Sequence, residues 1–191
     1  MRAVSARKWL PWPRAPREGD SDVASLLREI AALTAEVRSL ALLARTDPLT
    51  GLANRRAWDE QLTRELARAQ RSGAAVSVAL LDLDDFKRYN DAQGHQAGDR
   101  LLVEAAAAWE RELRAIDLLC RWGGDEFALL LPDCSRDQAH EVIARLCPAT
   151  PSRQSCAAGV AAWDGRETAH DLLGRADTAL LKQKRAQRVR G

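Results

Sequence analysis

Long apolar runs are missing from this sequence of 191 residues, and none reaches the roughly 20 residues that a bilayer-spanning helix needs. The first 16 residues are basic but contain no extended apolar core, so they do not predict a signal peptide. The cysteines show no CxxC spacing, which favours free thiols in a reducing cytosol over disulfides or structural zinc. These absences together predict a cytoplasmic protein. The cysteines are Cys120, Cys134, Cys147 and Cys156.

A strong charge of either sign is also missing, because 29 Lys and Arg residues face 27 Asp and Glu residues and leave a net charge of +2. Net charge therefore indicates no polyanionic partner, and the basic residues near both ends accompany no nucleic-acid-binding motif. We expect no binding to nucleic acid. With 46% hydrophobic and 29% charged residues, the composition is typical of a globular protein with one compact domain and an appendage.

Residues 1–20 hold Pro11, Pro13 and Pro16 beside Trp9 and Trp12. Because proline interrupts helices and sheets, this segment is predicted to be a disordered tail. Its tryptophans and arginines leave open a contact with a protein partner or with an anionic membrane surface.

Residues 21–45 carry an apolar heptad pattern. β-branched residues and leucines alternate at the a and d positions of three repeats: Val23, Leu26, Ile30, Leu33, Val37 and Leu40. This choice favours a parallel two-stranded coiled coil, so we expect a helix that joins two copies of the chain. The alternative is an amphipathic helix that packs on its own domain. Leu27, Leu42 and Leu43 keep it open because they widen the apolar stripe.

Residues 46–191 contain alternating segments with helix and strand patterns. Helices are predicted at 54–72, 98–114, 135–146 and 168–188, and strands at 75–82, 117–122, 126–131 and 154–162. Gly123 and Gly124 separate the two middle strands and predict a hairpin. The order α-β-α-β-β-α-β-α fits an α+β domain in which helices flank a largely antiparallel sheet.

Acidic residues lie at the ends of two of these strands. Asp82 and Asp84 end an apolar strand on one face, and Asp125 and Glu126 follow the glycine pair of the hairpin. Acids at the end of an apolar strand face solvent, a cavity or a cation. If the two strands are neighbours, Asp82 and Asp125 converge and offer the oxygen ligands that Mg²⁺ prefers beside phosphates. The pattern predicts a metal site for a nucleotide, and the alternative is two unrelated polar turns.

Residues 123–127 read Gly-Gly-Asp-Glu-Phe, which resembles the motif that names the GGDEF family of bacterial diguanylate cyclases. Further segments resemble the family in the same order: residues 47–56, 82–87, 90–91, 94–95, 98–99 and 176–180. The resemblance covers residues 46–191, and ordered motifs at compatible spacing argue against coincidence. It implies that two GTP molecules are joined into cyclic di-GMP, with Mg²⁺ or Mn²⁺ as cofactor. It also implies a dimer in which each domain holds one GTP, and this would explain the coiled coil.

The resemblance implies roles for the acidic residues. Asp82, Asp125 and the Leu83 carbonyl would ligate the metal, and Glu126 would help to hold it. Asp125 would also assist deprotonation of the attacking hydroxyl, so Asp125 and Glu126 are the expected catalytic residues. The chemistry needs no protein nucleophile, which agrees with the absence of a Ser/His or Cys/His constellation in the sequence.

A GTP site is implied as well. Asn90 and Asp99 would hydrogen-bond the guanine, and an acid at position 99 favours GTP over ATP. The residues expected near the phosphates are Phe86, Lys87, Gly123 and Gly124. Glycine there allows the backbone to approach a bulky anion.

Two further pairs each have a rival interpretation. Lys184 and Arg188 lie four apart on the final helix and would clamp the β- and γ-phosphates, or they form a basic helix end that suits the helix dipole. Arg114 and Asp117 match the family's RxxD product site, at which cyclic di-GMP inhibits the enzyme. Their alternative is an ordinary salt bridge at a helix-to-strand turn.

The match to the family is imperfect toward the C-terminal end. The connection at 147–153 is short, the last strand has alanines in place of serine and β-branched residues, and Leu181, Gln183 and Gln187 depart from the family pattern. These changes affect packing and the phosphate clamp, whereas the metal and guanine positions are intact, so an active enzyme is favoured. The alternatives are an inactive GGDEF domain that senses cyclic di-GMP or GTP, and an interaction protein that acts through its tail.

Overall fold

The computed structural model describes the backbone of residues 18–43 and 45–190, and the side chains of 23, 25–37 and 45–187. The tail predicted at residues 1–20 lies outside the described residues, except that 18–20 belong to the first helix. The described residues fall into two compact units, one ending at Leu42 and the other beginning at Leu43.

The first unit is helix α1, Glu18–Leu43, which begins three residues before its predicted start. Its large apolar side chains between residues 23 and 37 are 52% to 64% exposed in the single chain. Such a stripe buries little surface within its own unit and is typical of a helix that packs against a partner. No helix among the described residues is long and apolar enough to cross a membrane.

The second unit is a five-stranded sheet with helices on both faces, counted over the described residues. The strands are β1 Ala53–Asn54, β2 Val76–Leu83, β3 Leu118–Gly123, β4 Glu126–Pro132 and β5 Cys156–Ala162. The helices are α2 Arg55–Ser72, α3 Phe86–Gln93, α4 His95–Glu110, α5 Arg136–Leu146 and α6 Ala169–Arg190. The strand order is β1-β3-β4-β2-β5, and only the short β1–β3 pair is parallel. The predicted α+β fold with a largely antiparallel sheet is confirmed.

The sheet separates two hydrophobic cores, because successive side chains of a strand point to opposite faces. Leu81 and Leu83 of β2 lie in the core that α4 and α5 cover, where Trp109 and Phe127 meet edge to face with ring centroids 4.9 Å apart. The even-numbered residues of β2 join the core that α2 and α6 cover. This alternation directs Asp82, the last even-numbered residue of β2, toward α6.

Helix α4, His95–Glu110, corresponds to the helix predicted at 98–114, and the short helix α3 before it was not predicted. The unpredicted α3 ends before Gly94, whose φ of 86° turns the chain into α4 at His95. Helix α4 ends at Glu110 because the Glu112 and Leu113 amides donate to carbonyls only three residues back, at 3.0 and 3.2 Å. The predicted boundaries were therefore wrong by three residues at the start and four at the end.

One departure from the family pattern has a structural reason in the contact between α6 and β5. Gln183 of α6 accepts a hydrogen bond from the Ala158 amide of β5 at 3.2 Å. Because β5 is the edge strand of the sheet, its outward amides have no neighbouring strand to donate to. The longer side chain at position 183 satisfies one of these amides.

Gly159 marks the closest approach of α6 to the sheet. A Cβ atom added there would lie 2.1 Å from the Ala176 carbonyl oxygen and 2.2 Å from the Leu180 nitrogen, and backbone atoms cannot rotate away. We expect Gly159→Ala to lower the free energy of unfolding by about 3 kcal/mol in urea denaturation. Gly174→Ala on α6 is the matched control, since a Cβ there meets no atom within 4 Å and alanine favours a helix. Parent-like stability of Gly159→Ala would contradict the described packing.

Candidate active site

The end of β2 and the hairpin between β3 and β4 lie side by side. The two strands are antiparallel neighbours with Asp82 opposite Glu126, and the Leu83 amide donates to the Asp125 carbonyl at 3.3 Å. Asp82 and the Gly123–Asp125 turn therefore share one edge of the sheet, as the sequence predicted for neighbouring strands. Glu126, Gly123 and Gly124 are exposed at this tip, whereas Asp125 is half-buried.

Asp82 pairs with a residue from the other end of the chain. The Lys184 ammonium lies 2.5 Å from Asp82 Oδ2, and the two side chains are 29% and 13% exposed. Burial raises the pKa of Asp82, the hydrogen bond from Lys184 opposes that shift, and the charges of Asp125 and Asp84 add to it. The family resemblance assigned Asp82 to metal binding and Lys184 to phosphate binding. The structure brings these two side chains into contact.

A cavity of about 660 Å³ opens beside this ion pair. Six of the residues predicted for the site line it: Asp82, Leu83, Phe86, Lys87, Asp125 and Lys184. The sequence did not assign a role to the other lining residues: Asp84, Asp85, Arg88, Ser155 and Gln187. The volume is in the range of ligand sites, and the lining is rich in charge of both signs.

The donor set at this edge suits a hard cation that is shared with a phosphate. Within the described part of the chain, no group of three or more His, Cys, Asp or Glu side chains is placed to hold a metal ion. Asp82 and Asp125 nevertheless lie close enough that the charge of Asp125 contributes to the raised pKa of Asp82. Two carboxylates and the Leu83 carbonyl leave several positions of an octahedral cation free, and these fit phosphate oxygens or water.

Asp84 is held by Ser155 and Gln187, and sequence reasoning had connected neither of them with it. Ser155 donates from its hydroxyl to Asp84 Oδ2 at 2.6 Å, and its carbonyl accepts the Asp84 amide at 2.9 Å. Gln187 also contacts Asp84 Oδ2, at 3.4 Å. The acid beside the site is therefore fixed by the start of β5 and by α6.

Asn90 and Gly98 form a tight contact between α3 and α4. A Cβ atom at Gly98 would lie 1.8 Å from Asn90 Oδ1 and 3.1 Å from Phe86 Cζ. Asn90 Oδ1 is buried and finds no hydrogen-bond partner among the described residues. A buried oxygen without a partner is costly unless a ligand or water satisfies it, so this side chain is suited to polar recognition.

Asp99 lies at a separate shallow hollow of about 240 Å³. Leu49 and Val103 share its lining, and Val103 is 39% exposed. An acid between two apolar side chains can recognise the N–H edge of a flat ring that rests on them. Neither Leu49 nor Val103 was predicted, although Leu49 belongs to the segment 47–56 that resembles the family.

Arg121 holds the glycine turn in place. Its guanidinium donates to the Gly124 carbonyl at 2.8 and 3.0 Å and to the Asp47 carboxylate at 3.2 and 3.3 Å. Thr50 also donates to Asp47, from its amide at 2.8 Å and its hydroxyl at 2.7 Å. The segment at 47–56 thus positions the turn, a role that sequence reasoning missed. Gly124 has a φ of 52°, which disfavours a side chain there.

The Asp47 contacts predict a pH dependence of stability. Burial opposes ionisation of Asp47, but the hydrogen bonds from Thr50 and Arg121 outweigh it and lower its pKa below 3.8. We expect Asp47→Asn to reduce the free energy of unfolding by about 1 kcal/mol at pH 7. Because a lowered pKa stabilises the fold only above that pKa, the difference from the parent should shrink as the pH falls below 3.8. Urea denaturation between pH 7 and 3 checks this, and a difference that does not vary with pH would contradict it.

Arg114 and Asp117 form a closed pair at the turn into β3. Arg114 donates to the Asp117 carboxylate from its amide and from its guanidinium, at 2.9 to 3.2 Å, and to the Pro132 carbonyl at 3.2 Å. The Asp117 side chain is only 1% exposed, whereas Arg114 is 49% exposed. A hollow of about 240 Å³ adjoins both residues. Arg188, which the family resemblance assigned to the phosphates, lies on α6 with its side chain outside the described residues.

The chain matches a known family over its second unit. A family model described as diguanylate cyclase, GGDEF domain, matches residues 44–190. The chain is 43% identical over 155 residues to the diguanylate cyclase DgcP of Pseudomonas aeruginosa and 38% identical over 159 residues to the response regulator PleD of Caulobacter vibrioides. Each alignment covers 76% of this chain but only 23% and 35% of the respective relatives. The chain thus spans about a third or less of these proteins.

Solved structures agree with the fold. The coiled coil and GGDEF domain of DgcB from Caulobacter crescentus, in complex with c-di-GMP, superposes with a TM-score of 0.84 at 29% identity and covers 89% of this chain and 96% of that one. The diguanylate cyclase SiaD of Pseudomonas aeruginosa, in complex with its activator SiaC, gives a TM-score of 0.72 at 39% identity, over 87% of this chain and 69% of that one. The chain therefore belongs to the GGDEF domain family of diguanylate cyclases.

Proposed function

We propose that the chain is a diguanylate cyclase that condenses two GTP molecules into cyclic di-GMP and releases two pyrophosphates. The observation that carries the proposal is the shared edge of β2 and the hairpin, where Asp82, Asp125 and Lys184 line one cavity of about 660 Å³. The cavity thus offers carboxylates for a cation and an ammonium for phosphate, and the buried Asn90 oxygen, which finds no partner among the described residues, offers a polar contact for a base. Family membership and the identity to DgcP support the same chemistry.

Asp82, Asp125 and the Leu83 carbonyl would ligate Mg²⁺ or Mn²⁺. Glu126 would help to hold the metal. The cation supplies charge stabilisation on the phosphates and a lower pKa for a nearby hydroxyl. The Lys184 ammonium lies 2.5 Å from Asp82 Oδ2, so a cation bound to Asp82 would take the place of this ammonium.

The GTP molecule spans the cavity beside Asp82 and the hollow beside Asp99. Asn90 and Asp99 hydrogen-bond the guanine, which rests against Leu49 and Val103, and the triphosphate lies in the larger cavity. The protein groups placed near the phosphates are Phe86, Lys87, Gly123, Gly124, Lys184 and Arg188. Lys184 exchanges its contact with Asp82 for a contact with phosphate, since both partners are anionic oxygens and the side chain is partly exposed.

The reaction needs two facing domains. Asp125 accepts the proton of a GTP 3′-hydroxyl, and the oxygen attacks the α-phosphorus of the GTP in the facing domain. The bond from that phosphorus to the β-phosphate oxygen breaks, and pyrophosphate leaves. The same step with the roles reversed closes the ring, so the protein supplies positions and charges and forms no covalent intermediate.

Helix α1 joins the two domains in this proposal. Its apolar stripe from Val23 to Val37 is more than half exposed, and a parallel two-stranded coiled coil would bury it. Holding two domains together raises the effective concentration of each half-site for the other. The DgcB structure, described as a coiled coil with a GGDEF domain, supports this arrangement.

Product inhibition at Arg114 and Asp117 is part of the proposal. Arg114 is half-exposed and can offer its guanidinium to a phosphate or guanine of cyclic di-GMP. The Asp117 carboxylate already accepts Arg114 and is 1% exposed, so it would take part only if the pair opened.

A second candidate function is a non-catalytic domain that binds cyclic di-GMP or GTP as a sensor. Two contacts favour it over a standard active site: Lys184 contacts Asp82, and Gln187, which departs from the family pattern, contacts Asp84. The tail at residues 1–20 would add an interaction with a protein partner or membrane surface in either case.

The two candidates are separated by incubating the purified chain with GTP and Mg²⁺ and analysing the products by chromatography. The cyclase proposal predicts cyclic di-GMP and pyrophosphate in a ratio of one to two, both absent with Asp125→Ala. If the protein is dimeric and forms no product, the cyclase proposal is wrong, and binding of cyclic di-GMP to the same sample then tests the sensor function.

A further inference from the structure

Two of the four cysteines lie against each other at the two ends of the connection between α5 and β5. Cys156 donates its thiol to the Cys147 sulfur with the two sulfur atoms 2.9 Å apart. Cys147 follows α5 directly, and Cys156 is the first residue of β5. The other two, Cys120 and Cys134, are buried in the cores at 0% and 2% exposure. A thiol pair of this kind is not explained by the GTP site.

The backbone at Cys147 is held by hydrogen bonds, and the backbone at Cys156 is held by strand pairing. The Thr150 amide and hydroxyl donate to the Cys147 carbonyl at 3.2 and 2.7 Å, and the Trp109 indole donates to that hydroxyl at 3.3 Å. Cys156 is paired with Leu83 in the sheet. A disulfide has sulfur atoms about 2.05 Å apart, so closing the bond needs a movement of only about 0.9 Å.

The two thiols differ in ways that suit them to successive steps. Cys147 is half-buried, whereas Cys156 is 4% exposed. The hydrogen bond from Cys156 lowers the pKa of Cys147, and burial opposes that effect. A lower pKa and partial exposure are the properties of a thiol that reacts first. The protected Cys156 is then placed to resolve the product.

We propose that Cys147 and Cys156 form a reversible disulfide when the protein meets a peroxide. The Cys147 thiolate attacks one peroxide oxygen, the O–O bond breaks, and the departing oxygen takes up a proton and leaves as water when the oxidant is hydrogen peroxide. The Cys156 sulfur then attacks the Cys147 sulfenic acid, the S–S bond forms, and the S–O bond breaks. The leaving hydroxyl takes the Cys156 proton, so two thiols lose two electrons and the peroxide becomes two waters.

The modification lies next to the cavity. Ser155 precedes Cys156, and both its hydroxyl and its carbonyl contact Asp84 in the cavity wall. The disulfide would close the ring of residues 147–156 and restrict this connection, which is the segment that is short relative to the family. The proposal concerns the thiols themselves and does not rest on the proposed cyclase activity.

Treatment of the full chain with hydrogen peroxide, followed by thiol alkylation and peptide mass spectrometry, tests the proposal. We expect one peptide pair linked through Cys147 and Cys156, with the loss of two hydrogens, and full reversal by dithiothreitol. Cys120 and Cys134 should remain alkylated as internal controls. The oxidised protein should also melt higher by about 5 °C, because the short ring restricts the unfolded chain.

Two single variants sharpen the test. In Cys156→Ser, the Cys147 sulfenic acid should accumulate and be trapped by a dimedone probe, whereas Cys147→Ser should leave Cys156 unmodified at the same peroxide dose. The proposal is overturned if the parent protein forms only disulfides between chains. It is also overturned if Cys147 proceeds to the sulfinic acid while Cys156 stays free. Both of these outcomes are read on the parent chain, so they do not depend on folding of the variants.

Discussion

The Asp82→Asn variant is expected to form cyclic di-GMP about 10³-fold more slowly than the parent chain, with its fold retained. Asparagine has nearly the same shape as aspartate, so the packing at the end of β2 is preserved. The carboxylate charge is lost, however, and a neutral amide is a poor ligand for a hard cation. Burial already disfavours the charged form of Asp82 by raising its pKa, so removing the charge should not weaken the fold.

Asp91→Asn is the matched control for this prediction. It removes one carboxylate from the neighbouring helix α3, where Asp91 is exposed, and the rate should stay within about twofold of the parent. The rates are compared at saturating GTP and Mg²⁺, and the free energy of unfolding is measured in parallel. If the Asp82→Asn variant forms cyclic di-GMP at a tenth of the parent rate or faster, Asp82 is not a ligand of the cation.

The Gly98→Ala variant is expected to bind GTP about 30-fold more weakly than the parent, because loss of a hydrogen bond to a buried polar group costs about 2 kcal/mol. The added Cβ would lie 1.8 Å from Asn90 Oδ1, a distance that no two such atoms can keep. The Asn90 side chain therefore has to leave its position, and the guanine loses a hydrogen-bond partner. Direct titration of the variant with a non-reactive GTP analogue measures the effect.

A double-mutant cycle separates this cause from general damage. Asn90→Ala alone should weaken binding by a similar factor, and adding Gly98→Ala to it should cost little more, because the clashing atom is already gone. The Phe86 ring, 3.1 Å from the added Cβ, is the remaining neighbour that has to adjust. Additive losses in the double variant would show that Gly98 acts on something other than Asn90.

The sheet and the acidic residues at its edge were predictable because their signals are local. An apolar run that ends in Asp82, and a glycine pair between two apolar runs, define a strand end and a hairpin without knowledge of the rest of the chain. The antiparallel pairing of β2 and β4 then brings the acids to one edge, as the sequence analysis anticipated. The short helix α3 was missed because none of its eight residues is fully buried and only Phe86 and Tyr89 pack against the core, which is too little for an apolar periodicity to show in the sequence.

The contacts that shape the site were not predictable because they join residues far apart in sequence. Asp47 and Arg121 are 74 residues apart, Asp84 and Ser155 are 71 apart, and Asp84 and Gln187 are 103 apart. Single residues of these types are common on surfaces, and only the fold shows which ones meet. The family resemblance assigned Lys184 to phosphate, and its pairing with Asp82 became visible only in the structure.

A crystal structure with 3′-deoxy-GTP and Mg²⁺ would test whether one GTP binds across the hollow beside Asp99 and the cavity beside Asp82. The analogue lacks the attacking hydroxyl, so it stays intact in the site. The account predicts the guanine against Asn90 and Asp99, the cation on Asp82 and Asp125, and Lys184 moved from Asp82 to a phosphate. A nucleotide bound elsewhere, or Lys184 still paired with Asp82 beside a bound triphosphate, would contradict it.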